Sequence, residues 1–247
     1  MFAVVKFTEK ERSLKGLFSS LKVKSERVDL PSGGYFFIIT AEKRKNKVPL
    51  DKIIHIAGNL VNSLIFPSDY DFTGDERVKP YEPSSLKERM LFELAVKGIS
   101  KTGTEPSLCS VCVEDNKGIY VSCLHKLLPL AAKIQVVCSD TDIYRSVAER
   151  IFYEYGCSLI LSEGFDSFSL KCDAIISYNG DEKPFLFGSC VYSKSIYSRV
   201  QIGLPREYAS LCPDGTDRET FASALYEKCK VPYEIFFLDN IPAGDIY

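Results

Sequence analysis

Apolar and polar residues follow two different patterns along this chain, and the change between them falls near residue 105. Before it, strand-like runs such as "FAVVKF" and "GGYFFIIT" are separated by charged stretches. After it, continuous apolar runs of strand length alternate with amphipathic segments of helical length. Because 247 residues are enough for two domains, we predict domains over residues 1–104 and 105–247.

The N-terminal domain is predicted to be the smaller one and to belong to the α+β class. Its two strand-like runs are followed by a stretch from Leu50 to Leu64, in which apolar residues recur at helical spacing. Ser85 with Glu88 three residues later forms a capping box, which predicts a second helix over residues 86–99. The segment "SKTGTEP" then breaks the helical pattern and connects the two domains.

From residue 107 the chain alternates regularly between strands and helices. The predicted strands are "SLCSVCV", "KIQVVCS", "CSLILS" and "CDAIISY", and the helices between them are "IYVSCLHKLLPLA", "DIYRSVAERIFYEYG" and "FDSFSLK". Strands that are apolar throughout are typical of a sheet covered on both faces. A helix between two strands returns the chain to the same end of the sheet, so the strands pair in parallel. The pattern therefore predicts an α/β domain with a doubly wound, mostly parallel sheet.

The tail of the chain is less regular. It contains the strand-like runs "PFLFGSCVY", "RVQIGL" and "YEIFFLD", and a helical segment that follows a capping box of Thr216 and Glu219. We expect these elements to extend the same sheet.

The carboxyl ends of parallel strands are the place where ligands bind to such a sheet. Polar residues follow each predicted strand, and they are Glu114, Asp115, Ser139, Asp140, Asp142, Ser162, Glu163, Asn179, Gly180 and Asp181. Parallel pairing would bring all of them to one edge of the sheet. From this group the candidate ligand-binding residues are Ser139, Asp140, Asp142, Glu163, Asn179 and Gly180. We assign no metal ligands and no catalytic residues.

Residues 107–181 resemble Rossmann-like domains of the NAD(P)-binding kind, including those of the shikimate-dehydrogenase type. The resemblance is carried by the order "KIQVVCSD", helix, "CSLILSE", short helix, "CDAIISYNG". It implies NAD(P) as a cofactor and implies that Glu163 binds the adenosine ribose.

The chain departs from this family at the turn "CSDTDIYRS". Dinucleotide-binding domains hold pyrophosphate in a G-x-G-x-x-G turn, whose glycines allow the backbone to approach closely. The turn here has no glycine, and Asp140 and Asp142 would repel a diphosphate. Both residues suit the helix that follows, because acidic residues accept backbone hydrogen bonds and complement the dipole at a helix N-terminus.

The same two acids resemble a second family. Asp140-Thr141-Asp142 after an apolar strand is similar to the D-x-D of haloacid-dehalogenase-type phosphotransferases, in which the first carboxylate attacks phosphorus and both bind Mg²⁺. The glycine-containing loop that follows this motif in that family is absent here, and the helix is expected to begin at once.

Composition limits the partners and the location of the protein. The net charge of -2 and the pI near 5.9 provide no general attraction for nucleic acid or for an anionic membrane surface. No apolar run approaches the roughly 18 residues that span a bilayer, and the first residues do not resemble a signal peptide. The nine cysteines are scattered through predicted strands and helices, which favours reduced thiols. We therefore expect a cytoplasmic protein that binds neither nucleic acid nor membrane.

These observations favour a small-ligand-binding or regulatory module with a degenerate nucleotide site. No nucleophile, base and phosphate-binding loop occur together, so we favour a non-catalytic role for the small-molecule or nucleotide ligand. An NAD(P)-dependent oxidoreductase and a Mg-dependent phosphatase of the haloacid-dehalogenase type remain the alternatives. The sequence leaves open whether the protein is an enzyme and whether it forms a homo-oligomer.

Overall fold

The structure is a computed structural model, and it describes residues 1–9, 20–44, 47–70, 76–83, 85–164, 172–179, 190–198 and 200–239. The strands are β1 Ala3–Glu9, β2 Val23–Asp29, β3 Tyr35–Lys43, β4 Leu64–Ile65, β5 Ser110–Glu114, β6 Lys133–Val137, β7 Leu159–Ser162, β8 Ala174–Ile176, β9 Cys190–Tyr192, β10 Gln201–Gly203 and β11 Phe237–Asp239. The α-helices are α1 Leu50–Ala57, α2 Ser85–Lys101, α3 Asp142–Tyr155, α4 Lys194–Tyr197, α5 Arg206–Ala209 and α6 Arg218–Cys229.

The described residues form two compact units. Unit 1 takes its residues from Met1–Leu86 and Ile202–Phe237, and unit 2 from Lys87–Gln201 and Leu238–Tyr247. This division differs from the predicted boundary between residues 104 and 105, because most of α2 belongs to unit 2 and most of the tail belongs to unit 1. The tail belongs mostly to unit 1 because its helix α6 is part of the aromatic core of that unit. In this core Phe221 contacts Phe2 and Phe36 edge to face.

Unit 1 contains a four-stranded mixed sheet in the order β2-β3-β1-β4. Strand β1 pairs in parallel with β3 and β4, whereas β2 pairs antiparallel with β3. The helix predicted over Leu50–Leu64 is α-helical only as far as Ala57, because Gly58 has a φ of +52° and begins a six-residue 3-10 helix, Gly58–Ser63. The apolar side chains of Ile53 and Ala57 pack onto the sheet core. The mixed sheet agrees with the predicted α+β class.

Unit 2 contains a five-stranded sheet in which every pair of neighbours is parallel. The strand order is β7-β6-β5-β8-β9, and the central register places Val113 beside Val136 and Ile176. The first strand along the chain, β5, therefore lies in the middle, and later strands are added outward on both sides. This is the order of a Rossmann-like sheet, so the predicted fold class is confirmed.

Two predicted elements are wrong. The segment "IYVSCLHKLLPLA" forms turns and a four-residue 3-10 helix, Leu124–Leu127, instead of an α-helix. Pro129 has no N–H to continue a helix there. The tail prediction is right for one strand and wrong for two: the end of "PFLFGSCVY" extends the parallel sheet as β9, whereas β10 and β11 form a separate two-stranded sheet, in which the ring of Phe237 lies where a side chain of Gly203 would be. The short helix "FDSFSLK" lies outside the described residues.

All nine cysteines are free thiols, as predicted, and Cys109, Cys112, Cys123, Cys138 and Cys172 are buried. Burial raises the pKa of Cys123 to about 12, so its thiol stays protonated and inert near neutral pH. No helix within the described parts of the chain is long and apolar enough to cross a membrane.

Candidate functional site

A buried carboxylate fills the turn that follows β5, the central strand of unit 2. Asp115 is only 4% exposed. One of its oxygens accepts a hydrogen bond from the backbone N–H of Lys117 at 3.0 Å, and the other accepts one from the backbone N–H of Tyr120 at 2.7 Å. The hydroxyl of Tyr144, in the first turn of α3, donates to this second oxygen as well. These three hydrogen bonds therefore fix the turn around the carboxylate.

Two buried tyrosines surround this carboxylate. Burial raises the pKa of the Tyr144 hydroxyl well above its usual value, and the neighbouring charge of Asp115 raises it further. Burial followed by the charge of Asp115 also raises the pKa of Tyr120. Tyr120 stacks on Phe92 of α2, with 5.0 Å between the ring centroids. Both hydroxyls therefore stay protonated, and Tyr144 remains a hydrogen-bond donor to the carboxylate.

Gly118 allows the turn to pack against α3. Its φ is +70°, a left-handed conformation that favours glycine. A Cβ atom at this position would lie 2.9 Å from the Cγ2 atom of Ile143, which is closer than real Cβ contacts. The absence of a side chain at residue 118 therefore permits both the backbone conformation and the close approach of the helix.

Arg89 of α2 holds the far end of the same turn. Its side chain is 1% exposed. The Nη1 atom donates to the backbone carbonyl of Ile119 at 3.1 Å and to the Oγ atom of Ser122 at 3.3 Å. Together with Asp115, this guanidinium fixes both ends of the turn with charged hydrogen bonds, which are stronger than neutral ones.

The filled turn does not fit the diphosphate of NAD(P). A dinucleotide-binding turn offers free backbone N–H groups and a helix N-terminus to the pyrophosphate. Here the N–H groups of Lys117 and Tyr120 already donate to Asp115, and the chain continues into turns and a short 3-10 helix. A diphosphate at this position would meet a buried negative charge instead of hydrogen-bond donors.

The next strand end along the sheet is closed in a similar way. Strands β5 and β8 are the neighbours from which the chain proceeds to opposite sides of the sheet, and such a switch point is where ligands bind. Here the hydroxyl of Ser177, which is fully buried, donates to the carboxylate of Glu114. The backbone N–H of Ser177 also donates to the carbonyl of Tyr192 at 3.0 Å. The polar groups at the ends of β5 and β8 therefore form hydrogen bonds with one another.

The predicted site residues after β6 are all exposed. The backbone N–H of Ser139 donates to the side-chain oxygen of Asn116 at 2.8 Å. Asp140 accepts a hydrogen bond from the backbone N–H of Asp142 at 3.0 Å, so it caps the first turn of α3. The carboxylate of Asp142 forms an ion pair with Arg145 at 2.7 Å. Both carboxylates serve the helix, as their position in the sequence suggested.

The remaining predicted residues follow the next two strands. Glu163 comes directly after β7 and Asn179 follows β8, and both side chains are exposed. Gly180 lies outside the described residues. The strand order also bears on which acid corresponds to the ribose-binding acid of Rossmann domains. Because β6, and not β7, is the strand beside the central β5, Asp140 rather than Glu163 follows the strand that carries the ribose-binding acid in Rossmann domains.

Sequence reasoning missed the residues that close the central turn. Tyr144 was predicted only as part of the helix "DIYRSVAERIFYEYG", and Tyr120 and Arg89 were given no role. The available signal was Asp115 followed by Gly118, since an acid three residues before a glycine is typical of a turn closed by a side-chain hydrogen bond. Within the described residues, no group of three or more His, Cys, Asp or Glu side chains could hold a metal ion. The observed geometry of Asp140 and Asp142 therefore gives no support to the D-x-D interpretation.

No family model matches the chain, and no curated protein matches it. Similar solved structures include L-tryptophan dehydrogenase from Nostoc punctiforme, with 19% identity, a TM-score of 0.33, and coverage of 65% of this chain and 51% of that chain. Another is quinate dehydrogenase from Corynebacterium glutamicum in complex with NAD, with 14% identity, a TM-score of 0.26, and coverage of 55% and 58%. The matched part spans little more than half of each dehydrogenase. The Rossmann-like assignment rests on the strand order of unit 2.

Proposed function

We propose that the protein is a non-catalytic ligand-binding or regulatory protein built on a Rossmann-like unit whose nucleotide site is degenerate. The observation that carries this proposal is the Asp115 carboxylate, which accepts the backbone N–H groups of Lys117 and Tyr120 and the hydroxyl of Tyr144. A phosphate would need these same donors. The protein satisfies them with its own side chain, which leaves unit 2 with a rigid sheet and a closed central turn.

One observation favours a second candidate, an NAD(P)-dependent oxidoreductase. Asp140 follows β6, the strand beside the central one, and its side chain is exposed. An acid at this position binds the ribose hydroxyls in dinucleotide-binding domains. We rank this candidate second because the diphosphate that accompanies the ribose finds no donors in the turn after β5.

A thermal-shift experiment with NAD⁺, NADH, NADP⁺ and NADPH separates the two candidates. A cofactor present at about 100 times its Kd would stabilise the protein by about 2.7 kcal/mol and raise the Tm by about 5 °C or more. We expect no shift at a cofactor concentration of about 1 mM. A shift that is abolished by Asp140→Ala and kept by Glu163→Ala would establish dinucleotide binding at Asp140 and favour the oxidoreductase candidate, and the opposite pattern would restore the ribose role of Glu163. Either result would overturn the proposal of a degenerate site.

A further inference from the structure

A second concave site lies in unit 1. A cleft of about 430 Å³ is lined by Ser85, Tyr226, Glu227, Lys230, Val231 and Pro232, and we refer to it as the α6 cleft. It lies where α6 ends and α2 begins. Its volume is within the range of small-molecule sites, roughly 300 to 1,000 Å³.

The carboxylate of Glu227 is held in one orientation at the α6 cleft. One oxygen accepts hydrogen bonds from the backbone N–H of Ser85 at 2.8 Å and from its hydroxyl at 2.9 Å. The other oxygen accepts the hydroxyl of Tyr81 at 2.5 Å. Burial, and then the hydrogen bond to Glu227, raises the pKa of Tyr81 above its usual value, so the hydroxyl remains a donor. The cleft thus contains a pre-oriented negative charge.

Lys230 places a positive charge at the same cleft, and its backbone adopts a left-handed conformation that is unfavourable for residues other than glycine. It ends α6 with a φ of +58°, and within the described residues it alone has a positive φ without being glycine. Glycine is strongly preferred at this position, where the backbone N–H bonds back to the carbonyl of Leu225. The helix dipole does not explain the lysine, because Lys228 already supplies a cation in the last turn.

The ammonium group of Lys230 also has no role in holding the described fold together. It makes no hydrogen bond or ion pair with any residue that the structure describes, although Glu227 lies three residues earlier at the end of the same helix. Lys230 is one of the residues that line the α6 cleft. A strained residue whose charge is unused by the fold is a candidate for ligand binding.

We propose that the α6 cleft binds a free α-amino acid with an apolar side chain. Glu227 would accept the ammonium group of the ligand and Lys230 would pair with its carboxylate. The apolar side chain would contact Tyr226, Val231 and Pro232, which form the rest of the wall. This inference goes beyond the proposed function and does not depend on it, because the cleft belongs to unit 1 and the degenerate site to unit 2.

Calorimetric titration of the full chain with L-leucine and with L-phenylalanine tests the proposal. We expect saturable binding of at least one of them at one site. The matched probes N-acetyl-L-leucine and L-leucinamide lack the ammonium group and the carboxylate respectively, and each is expected to bind at least about tenfold more weakly, the equivalent of one lost charged contact. No binding of either amino acid at about 10 mM, or equal binding of the blocked probes, would overturn the proposal.

The variant Lys230→Gly separates a binding role from a structural one. Glycine relieves the left-handed conformation, so we expect the Tm to rise by about 2 to 4 °C while the affinity for the amino acid falls at least about tenfold. Lys228→Gln is the control, because Lys228 lies in the last turn of α6 but does not line the cleft. A Lys230→Gly protein that binds the amino acid as tightly as the wild type would contradict the assignment. The dinucleotide experiment on unit 2 is unaffected by either result.

Discussion

Two turns at the same edge of one sheet carry an aspartate within three residues of the end of a strand, and the two aspartates differ in burial and in hydrogen bonding. After β5, Asp115 is buried and accepts three hydrogen bonds that hold the turn closed. After β6, Asp140 is exposed and accepts one hydrogen bond, from the first N–H of α3. Both residues are aspartates that follow a strand, and they differ in burial and in the number of donors that bond to them.

The difference supports the proposal that unit 2 combines the strand order of a Rossmann-like domain with a degenerate phosphate site. A binding turn must leave its N–H groups free, whereas the turn after β5 uses them internally. The carboxylate of Asp115 supplies to these N–H groups the negative charge that a bound phosphate would otherwise supply. Each of the following predictions tests how far the two turns differ.

The largest effect is expected from Asp115→Ala. This change leaves the buried N–H of Tyr120, the buried hydroxyl of Tyr144 and the partly buried N–H of Lys117 without their acceptor, and each unsatisfied buried donor costs about 1 to 3 kcal/mol. We expect the free energy of unfolding, measured with urea, to fall by about 4 kcal/mol. A loss no larger than that of Asp140→Ala would show that the two turns are equivalent.

Gly118→Ala should have the next largest effect, and Gly156→Ala is its matched control. The two glycines have φ angles of +70° and +67°, but a Cβ at residue 118 would lie 2.9 Å from Ile143 while one at residue 156 would meet nothing within 4 Å. Backbone strain alone should cost about 1 kcal/mol in the control, and overpacking should bring the loss in Gly118→Ala to about 3 kcal/mol.

The second change Ile143→Ala tests the cause of that difference. It removes the methyl group that a Cβ at residue 118 would meet. In the Ile143→Ala background, Gly118→Ala and Gly156→Ala should lower the free energy of unfolding by the same amount, within about 0.5 kcal/mol. A persistent difference would mean that the turn is not packed against α3 as described.

Tyr144→Phe should remove one donor to the charged Asp115 and lower the free energy of unfolding by about 2 kcal/mol near pH 7. It should also change the response to alkali. In the unfolded chain a tyrosine has its usual pKa of 10.0, whereas burial raises the pKa of Tyr144 in the folded protein. Its stabilisation is therefore fully present below pH 10 and is lost as the pH rises above 10.

Urea unfolding between pH 8 and pH 11 measures this alkaline effect. The wild type should lose stability more steeply with rising pH than Tyr144→Phe, because the variant lacks the group whose ionisation differs between the two states. Parallel slopes would indicate that Tyr144 is not buried against the carboxylate.

The smallest effect is expected from Asp140→Ala. Loss of one exposed capping hydrogen bond should cost about 1 kcal/mol, and Asp140→Asn should cost less because asparagine also caps helices. Urea unfolding of both variants beside Asp115→Ala gives the comparison between the turns directly. A cost above about 3 kcal/mol would assign Asp140 a larger structural role than a helix cap.

The fold of unit 2 could largely be predicted because each element has a local signal. The prediction placed α3 between two apolar strands and ended it at Gly156, whose left-handed conformation is observed. Local signals failed where a tertiary contact decides the conformation. The helix predicted after β5 does not form, because the chain there is folded around Asp115 and continues to Pro129. Strand β2 was not predicted, because its charged residues lie at the edge of the sheet, where few side chains are buried.

The candidate site could be predicted only as an edge of the sheet. Glu114 and Asp115 were recognised as polar residues after a strand, yet the exposed Asp140 and Glu163 were preferred. Whether a carboxylate turns inward depends on the donors that tertiary folding brings to it. For Asp115 one of these donors is Tyr144, which is 29 residues away and fits the apolar stripe of its helix equally well.

The most direct test of the closed turn is a titration with NADH, followed by protein NMR at the backbone amides of Lys117 and Tyr120. These two N–H groups are the donors that Asp115 occupies and that a diphosphate would need. We predict that neither amide resonance moves as NADH is raised to about 100 times a typical cofactor Kd of about 10 μM, conditions under which a functional site would be saturated. Saturable shifts of both resonances would show that the turn opens to bind the dinucleotide and would contradict the account.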